Sequence, residues 1–207
     1  YDFHRGYGFD PNYLISEDDG LTWEYGGRLF DDGLDRRRPY LRYSSNGKDE
    51  IHFITTEAHP DEYDSGTGLY HGYIKNGKVY QTNGEVFDKL SNSQTSSFQP
   101  VDLTQIFAGN KKKRAWGCDL ELNDKGQPRA VFSVTKNSDD HRYHYSYWDD
   151  QKWRQCEIAY AGSCLYQNQV YYSGLADLHP DDPSVIFIST DVDPENGKPL
   201  ISSRYNK

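Results

Sequence analysis

The 207-residue sequence lacks any run of 18 apolar residues, so no segment of it is suited to cross a membrane as a helix. Its first residues, YDFHRGYG, resemble neither a signal peptide nor a normal start, which indicates a processed or excised chain. Cysteine is scarce, with Cys118, Cys156 and Cys164 alone and no CxxC pair. The sequence therefore predicts neither a disulfide framework nor a zinc motif, although one disulfide stays open.

Basic charge is also in short supply. Lys and Arg number 23 against 32 Asp and Glu, a formal charge of -9, which argues against nucleic acid as a partner. Two basic clusters stand out: DRRRP at 35–39, with Arg36 and Arg37, and NKKKR at 110–114. Each alone is typical of a solvated loop, but two clusters on one face would form a surface for an anionic ligand.

The abundant residues indicate an all-β protein. The chain has 18 Tyr and 9 Phe, which favour pleated, half-buried surfaces, and 18 Gly, which together with Asn and Asp supply turns. One pattern recurs three times, as a short strand, a polar turn and an apolar strand that ends in Phe-x-x-Thr. The copies are YLRYSSNGKDEIHFITT (40–56), DLELNDKGQPRAVFSVT (119–135) and LADLHPDDPSVIFIST (175–190).

A further hairpin follows each of the first two copies. LYHGYIKNGKVYQT (69–82) turns at Asn76-Gly77, and YHYSYWDDQKWRQCEIA (143–159) turns at Asp149 to Gln151. The unit is therefore four antiparallel strands, and its repetition predicts a β-propeller. We expect one domain over 1–207 with blades at about 1–34, 35–98, 99–160 and 161–207. Since these are about three and a half blades, the chain is expected to be part of a larger, seven-bladed propeller.

The octapeptide SEDDGLTW at 16–23 matches the Asp-box pattern S-x-D-x-G-x-T-W, which resembles the repeats of sialidases and other BNR-type propellers. Its acidic cluster could be mistaken for a reactive site. We interpret it as a structural turn in which Asp18 accepts backbone N–H bonds, Gly20 takes a positive φ and Trp23 packs between strands.

Strand order sorts the candidate residues between two faces. Within each four-stranded unit, the loop from the second to the third strand lies on the same face as the connection that enters the first strand. The turns from the first to the second strand and from the third to the fourth strand lie on the opposite face. Both basic clusters and the loops at 56–71 and 135–144 fall on the first face. So do the candidates His59, His71, Arg142, Tyr171 and Tyr172. His52, at a position where other copies have Val or Ile, is predicted to be a buried, hydrogen-bonded structural histidine.

Four segments together, HFITTEAHP, LYHGYIKNGKVYQTNG, RYHYSYW and PSVIFISTDVDPENGKPLIS, resemble the BNR-4 group of propellers over about residues 40–203. That group includes seven-bladed lyases acting on ulvan, a sulfated polymer of rhamnose and uronic acid. The resemblance implies β-elimination at a uronic acid. A cation neutralises the carboxylate, a base takes the C5 proton, and an acid protonates the leaving oxygen.

When the site residues of these lyases are carried over to the matching motif positions, the resemblance implies site roles for His59 and His71. It further implies that Arg142 neutralises the carboxylate and that Tyr172 or Tyr171 is a site tyrosine. It also implies a second tyrosine before the arginine, but residues 81–142 contain none. Trp116 stands where that aromatic is expected and cannot exchange a proton. A histidine would then act as the base, or Tyr143 would supply the phenol.

The substrate-binding candidates are Arg36, Arg37, Trp116, Tyr143 and Tyr171. The expected partner is an anionic polysaccharide, with no nucleic acid or membrane, and a polymeric substrate implies a secreted or periplasmic protein. The chemistry requires no cofactor. A structural zinc or calcium ion stays open, with His144, Cys156 and Cys164 as part of a zinc site. Two other functions also stay open: a non-catalytic glycan-binding propeller, and a sialidase-like glycoside hydrolase, which needs an arginine triad and a Tyr/Glu pair.

Overall fold

The computed structural model describes residues 2–5, 11–30, 39–60, 67–90 and 98–200, with backbone alone for 2–5. Arg36 and Arg37 lie outside these ranges. Within them the regular structure is β-strand, apart from one 3-10 turn at Pro100–Asp102. None of the described residues forms a helix long and apolar enough to cross a membrane.

The strands form four antiparallel sheets, which we number in chain order. The first sheet contains β1 (Asp2–Arg5), β2 (Pro11–Ile15) and β3 (Glu24–Arg28). The second contains β4 (Leu41–Ser45), β5 (Glu50–Thr55), β6 (Leu69–Lys75), β7 (Lys78–Gln81), β8 (Val86–Lys89) and β9 (Thr104–Phe107). The third contains β10 (Arg114–Leu122), β11 (Pro128–Asn137), β12 (Asp140–Trp148) and β13 (Trp153–Gly162). The fourth contains β14 (Ala176–His179) and β15 (Asp182–Ile188).

The predicted hairpins are confirmed. β6 and β7 pair up to Lys75↔Lys78 around Asn76 and Gly77, whose φ angles of 50° and 68° are those of a tight hairpin turn. β12 and β13 pair up to Trp148↔Trp153, and Asp150 in their turn has a φ of 69°. Both turns therefore adopt the geometry that their Asn, Asp and Gly residues favour.

One strand departs from the predicted boundaries. β9 pairs with Leu69 to His71 of β6, whereas β7 pairs with the other half of β6. The edge of β6 that faces away from β5 is thus shared by two short strands, β7 and β9, and β8 lies between them in the chain. Residues 104–107, assigned by the sequence to the blade 99–160, belong to the second sheet.

The sheets pack face to face. Ile54, Leu69, Phe107 and Phe132 are buried in one cluster between the second and third sheets. Neighbouring residues of a strand point to opposite faces of the sheet, so Val131 points away from the cluster that contains Phe132. Val131 packs with Ala176 and Leu178 in a separate cluster between the third and fourth sheets. Each fully buried large apolar side chain contributes about 1.5–3 kcal/mol.

The first strands of the second, third and fourth sheets lie next to one another, since β10 contacts both β4 and β14. This order, with successive antiparallel sheets side by side around their first strands, is that of a β-propeller. We call the side that carries residues 56–60, 108–113 and 163–175 the rim side. The opposite side, with the turns at 46–49, 123–127 and 149–152, is the turn side.

The Asp box is a structural turn, as predicted. The Asp18 carboxylate accepts bonds from the Thr22 backbone N at 2.8 Å and the Thr22 hydroxyl at 2.6 Å, and these bonds lower the pKa of Asp18 to about 2. Gly20 has a φ of 87°. Trp23 differs from the expectation: its Nε1 donates to the carbonyl of Gly20 at 3.0 Å and its ring stays 45% exposed, so it folds over its own turn.

Candidate active site

His59 and Tyr172 meet on the rim side, although 113 positions separate them in the chain. His59 Nε2 lies 3.3 Å from Tyr172 Oη. His59 follows β5 in the connection to β6, and Tyr172 belongs to the segment that leads into β14. His59 as a whole is only 3% exposed. The pair brings together two side chains that can each accept or donate a proton.

Two further aromatic side chains surround this pair. Trp116, at the start of β10, has its ring 5.2 Å from the His59 ring and 5.0 Å from the Tyr172 ring. Tyr40, just before β4, lies 4.6 Å from Trp116 and 5.4 Å from His59, measured between centroids. We call Tyr40, His59, Trp116 and Tyr172 the rim cluster. Such rings offer flat apolar surfaces with polar edges, as a sugar ring requires.

Arg114 brings positive charge beside the rim cluster. Its Nη1 donates to the carbonyl of Pro60, the neighbour of His59, and its guanidinium lies 5.0 Å from the centroid of the Tyr171 ring. Lys111, Lys112 and Lys113 precede it and are exposed. One of the two predicted basic clusters therefore adjoins the His59–Tyr172 pair.

Backbone contacts between two sheets hold the loop that carries His59. The Ala115 N–H donates to the Thr67 carbonyl at 2.9 Å, and the Thr67 hydroxyl donates to the Ala115 carbonyl at 2.9 Å. Glu57 accepts a bond from the Gly68 N–H at 2.8 Å. A Cβ at Gly109 would lie 1.9 Å from the Thr67 carbonyl oxygen, so this close approach requires glycine. Residues 67 and 68 are thus fixed against the start of β10, and Glu57 connects the residues that follow β5 to them.

His71 occupies a different environment, in the interior between the second and third sheets. Its side chain is fully buried, with Nδ1 2.8 Å from the Thr82 hydroxyl and Nε2 3.1 Å from His52 Nδ1. Trp153 packs edge-on against the ring and donates its Nε1–H to Thr82 Oγ1 at 3.2 Å. His52, predicted to be a structural histidine, is buried and hydrogen-bonded, as that prediction requires.

Both nitrogens of each ring are engaged, which sets the direction of the hydrogen bonds. His52 Nε2 lies 3.5 Å from Glu50 Oε2, and Glu50 also binds Lys75 Nζ at 2.8 Å. A carboxylate only accepts, so His52 Nε2 carries the proton and its Nδ1 accepts from His71 Nε2–H. Thr82 then donates to His71 Nδ1. Burial lowers the pKa of both histidines, that of His71 well below its usual value, so this chain is built for neutral rings.

Arg142, the predicted carboxylate-neutralising residue, is held by two carboxylates. Its Nε and Nη2 donate to Asp140, its Nη1 donates to Glu157 at 2.6 Å, and its guanidinium lies 3.5 Å from the Tyr160 ring centroid. The bonds with Asp140 and Glu157 raise the pKa of Arg142 above its usual range. Its charge is therefore compensated within the third sheet.

Tyr143 lies in the core between the third and fourth sheets. It is fully buried, and its hydroxyl lies 2.7 Å from the Ser189 carbonyl and 3.2 Å from that of Leu175. Burial raises the pKa of its phenol above the usual range. These contacts join β12 to the rim-side end of the fourth sheet, just before β14 and just after β15, so the phenol has a structural role here.

Among the described residues, no group of three or more His, Cys, Asp and Glu side chains is arranged to hold a metal ion. His144, Cys156 and Cys164 therefore do not form a zinc site in this structure. The three cysteines are free thiols, with Cys118 buried and Cys156 exposed. Burial lowers the pKa of His144 to about 4, so this imidazole is neutral at pH 7.

Of the nine predicted site residues, the structure joins His59, Trp116 and Tyr172, and it places Tyr171 next to them through Arg114. It keeps His71, Arg142 and Tyr143 in separate networks, and Arg36 and Arg37 lie outside the described residues. Sequence reasoning missed Tyr40, and it assigned Arg114 no role of its own. Both residues stand at the start of a sheet's first strand, and that shared position was the available signal.

Comparisons with known proteins agree with this fold. The model of a family described as BNR repeat-containing matches residues 10–161. Two solved structures of a polysaccharide lyase, the PL25 ulvan lyase, superpose with a TM-score of 0.54 at 14% identity, and in one of them the lyase is bound to -[GlcA(1-4)Rha3S]-.

Each superposition covers 86% of this chain but 43% of the lyase, so this chain spans less than half the length of the proteins it matches. No curated protein matches the sequence at a significant level. The likeness in structure supports the fold, and the family model covers well over half of the chain. The chain belongs to the BNR repeat-containing family.

Proposed function

We propose that this chain is part of a polysaccharide lyase that cleaves a sulfated, uronic-acid-containing polysaccharide of the ulvan type by β-elimination. The observation that carries the proposal is the 3.3 Å approach of His59 Nε2 to Tyr172 Oη among the rings of Tyr40 and Trp116. As a lyase of a polymer outside the cell, the protein would be secreted or periplasmic.

The proposed reaction needs two proton carriers near the scissile bond. One member of the His59–Tyr172 pair takes the C5 proton of the uronic acid, and the electron pair of that C–H bond forms the C4–C5 double bond. The C4–O bond breaks, and the other member protonates the leaving oxygen. The hydrogen bond between the two groups allows a proton to return from one to the other after each turnover.

Removal of the C5 proton also requires charge stabilisation at the uronate carboxylate. Arg114 is suited to this because it lies next to the His59 loop and its guanidinium can bind a carboxylate through two N–H groups. Lys111 to Lys113 would attract the anionic chain to the rim side. Arg142 is less suited because Asp140 and Glu157 already compensate its charge.

The comparisons support the proposal through the fold. The solved lyase is an ulvan lyase that binds an oligosaccharide of glucuronic acid and sulfated rhamnose, and its fold resembles this chain. The aromatic rings of the rim cluster also fit a glycan-binding propeller that performs no chemistry. These two functions differ in whether the His59–Tyr172 pair transfers a proton.

The test is an elimination assay on the full-length protein. Ulvan and other polyuronates are incubated with it while ultraviolet absorbance from the new conjugated double bond is followed. We expect the absorbance to rise with ulvan, and Tyr172→Phe to lower the initial rate about 100-fold or more because it removes one proton carrier. Tyr147→Phe, on the far end of β12, is the matched control and should retain the wild-type rate.

Each alternative has its own signature in this assay. Reducing ends without the absorbance rise would indicate a hydrolase, and binding of ulvan without either product would indicate a glycan-binding propeller. A wild-type rate in Tyr172→Phe would leave the lyase in place but remove the proposed pair from its mechanism.

A further inference from the structure

Two cavities on the turn side lie between the second and third sheets, away from the rim cluster. They have volumes of about 360 and 300 Å³, and Asn83 and Trp148 line both of them. The two spaces therefore form one extended depression, which we call the turn-side groove. Each half is within the size range of small-molecule sites in proteins.

The walls of the turn-side groove combine aromatic rings with carboxamides. Tyr73 lines one half, Trp153 lines the other, and Trp148 lies between them. Among the amide residues of the walls, Gln151 is exposed and its side chain can both donate and accept, and Asn83 can donate through Nδ2 while its Oδ1 accepts from the Glu85 N–H at 3.0 Å. Tyr73 presents only its ring edge, because His52 and Tyr80 cover its two faces, whereas Trp153 is partly exposed. The Trp153 ring suits the C–H surface of a sugar, and the amides suit its hydroxyl groups, which also donate and accept.

The charges around the groove nearly cancel, in contrast with the basic cluster on the rim side. Three carboxylates, Glu50, Glu85 and Asp150, and two ammonium groups, Lys125 and Lys152, border it. Glu50 is further compensated by Lys75, whose Nζ lies 2.8 Å from Glu50 Oε1. Such a surface gives an anionic polymer no net attraction, and its polar walls suit a neutral, hydroxyl-rich ligand.

The groove is already formed in the protein without a ligand. Tyr73 stacks between His52 and Tyr80, with ring centroids 4.9 and 4.8 Å away. Thr82 is held by the Nε1–H of Trp153 at 3.2 Å and by a bond from its own N–H to Thr104 at 2.9 Å. A ligand therefore need not order these walls, which lowers the entropic cost of binding.

We propose that the turn-side groove is a second carbohydrate-binding site, which takes a neutral oligosaccharide. The site is independent of the chemistry at the rim cluster, on the opposite side of the sheets. A polymer-degrading protein would use such a site to hold neutral glycans that accompany its charged substrate. The inference rests on the groove's aromatic and amide walls, its near-neutral charge and its preformed shape.

The test is a titration of the full chain with cellohexaose, xylohexaose, mannohexaose and galactohexaose, one at a time, followed by calorimetry. At least one is expected to bind with a Kd of about 1 mM or tighter. Trp153→Ala, which removes the partly exposed ring, is expected to weaken that binding about tenfold or more. Because Trp153 also packs against His71, the double variant Asn83→Ala, Gln151→Ala provides a second measurement at exposed positions, where folding is not at risk.

Tyr147→Ala is the matched control, because Tyr147 is 38% exposed on the same strand as Trp148 but does not line the groove. It should leave binding unchanged. The proposal is overturned if none of the four saccharides binds, or if both groove variants bind as the wild type does. Loss of binding in Tyr166→Ala, on the rim side, with binding intact in the groove variants, would also overturn it.

Discussion

His59 and His71 are twelve residues apart and both are buried, yet their surroundings differ in kind. His71 lies inside a hydrogen-bonded chain that runs from Thr82 through His52 to Glu50, and this chain uses both of its ring nitrogens. His59 Nε2 faces a phenol among rings on the rim side. The first arrangement stabilises a neutral imidazole in the interior, and the second joins two proton carriers.

Arg142 and Arg114 repeat this contrast for positive charge. Arg142 is enclosed by Asp140, Glu157 and Tyr160, and its side chain is 13% exposed. Arg114 contacts a backbone carbonyl and an aromatic ring, neither of which carries a compensating charge. A residue type that suits a reaction therefore becomes a candidate for it only where its neighbours leave its chemistry available.

The largest expected effect separates the two histidines by activity. His59→Gln retains hydrogen bonding to Tyr172 but loses a group that can accept and release a proton, so the initial rate on ulvan should fall about 100-fold or more. His71→Gln, the companion variant, should keep a rate close to the wild type when corrected for the folded fraction. Equal losses in both variants, with both folded by circular dichroism, would break the comparison and give His71 a part in catalysis.

The next effect separates them by stability. His71→Ala removes a fully buried ring, and with it the donor to His52 Nδ1 and the acceptor of the Thr82 hydroxyl hydrogen, so the free energy of unfolding should fall by about 2–5 kcal/mol. Urea denaturation followed by tryptophan fluorescence measures this change. His179→Ala, at the end of β14 and only partly buried, should cost about 1 kcal/mol or less. A similar loss in both variants would contradict a special role for the buried chain.

The smallest effect is in the pH dependence of stability. Burial lowers the pKa of His52 and His71, and lowers that of His144 to about 4, below the value of about 6.5 expected for unfolded histidine. The unfolded state then binds more protons than the folded state does. The stability that the neutral histidines contribute is therefore complete above about pH 6.5 and is lost as the pH falls toward the folded-state pKa values. The slope should approach about 1.4 kcal/mol per pH unit for one fully buried histidine.

Urea midpoints measured from neutral to mildly acidic pH test this dependence. His71→Gln should flatten the profile, because the variant removes one of the titrating groups. Asp18 does not contribute in this window, since its pKa is lowered to about 2 and its stabilising effect is lost only in stronger acid. Stability that stays constant or rises on mild acidification would show that the buried histidines are not held neutral.

Much of the fold was predictable from the sequence because its signals are local. The turns at Asn76-Gly77 and around Asp150 depend on residues that tolerate positive φ, and the Asp box depends on bonds within seven positions. The shared place of β9 in the second sheet was not predictable, because it depends on pairing across the β7–β8 hairpin with half of β6.

Apart from β8 and β9, the sequence by itself determined the main strands, their turns and the side of the sheets on which each loop lies, because alternation and turn chemistry act between near neighbours. Only the tertiary structure decided which polar groups meet. It brought Tyr172 to His59, tied Arg142 to Asp140 and Glu157, and enclosed His71 with His52. These contacts join distant residues through sheet packing, and burial then determines whether a group is held in place or remains able to react.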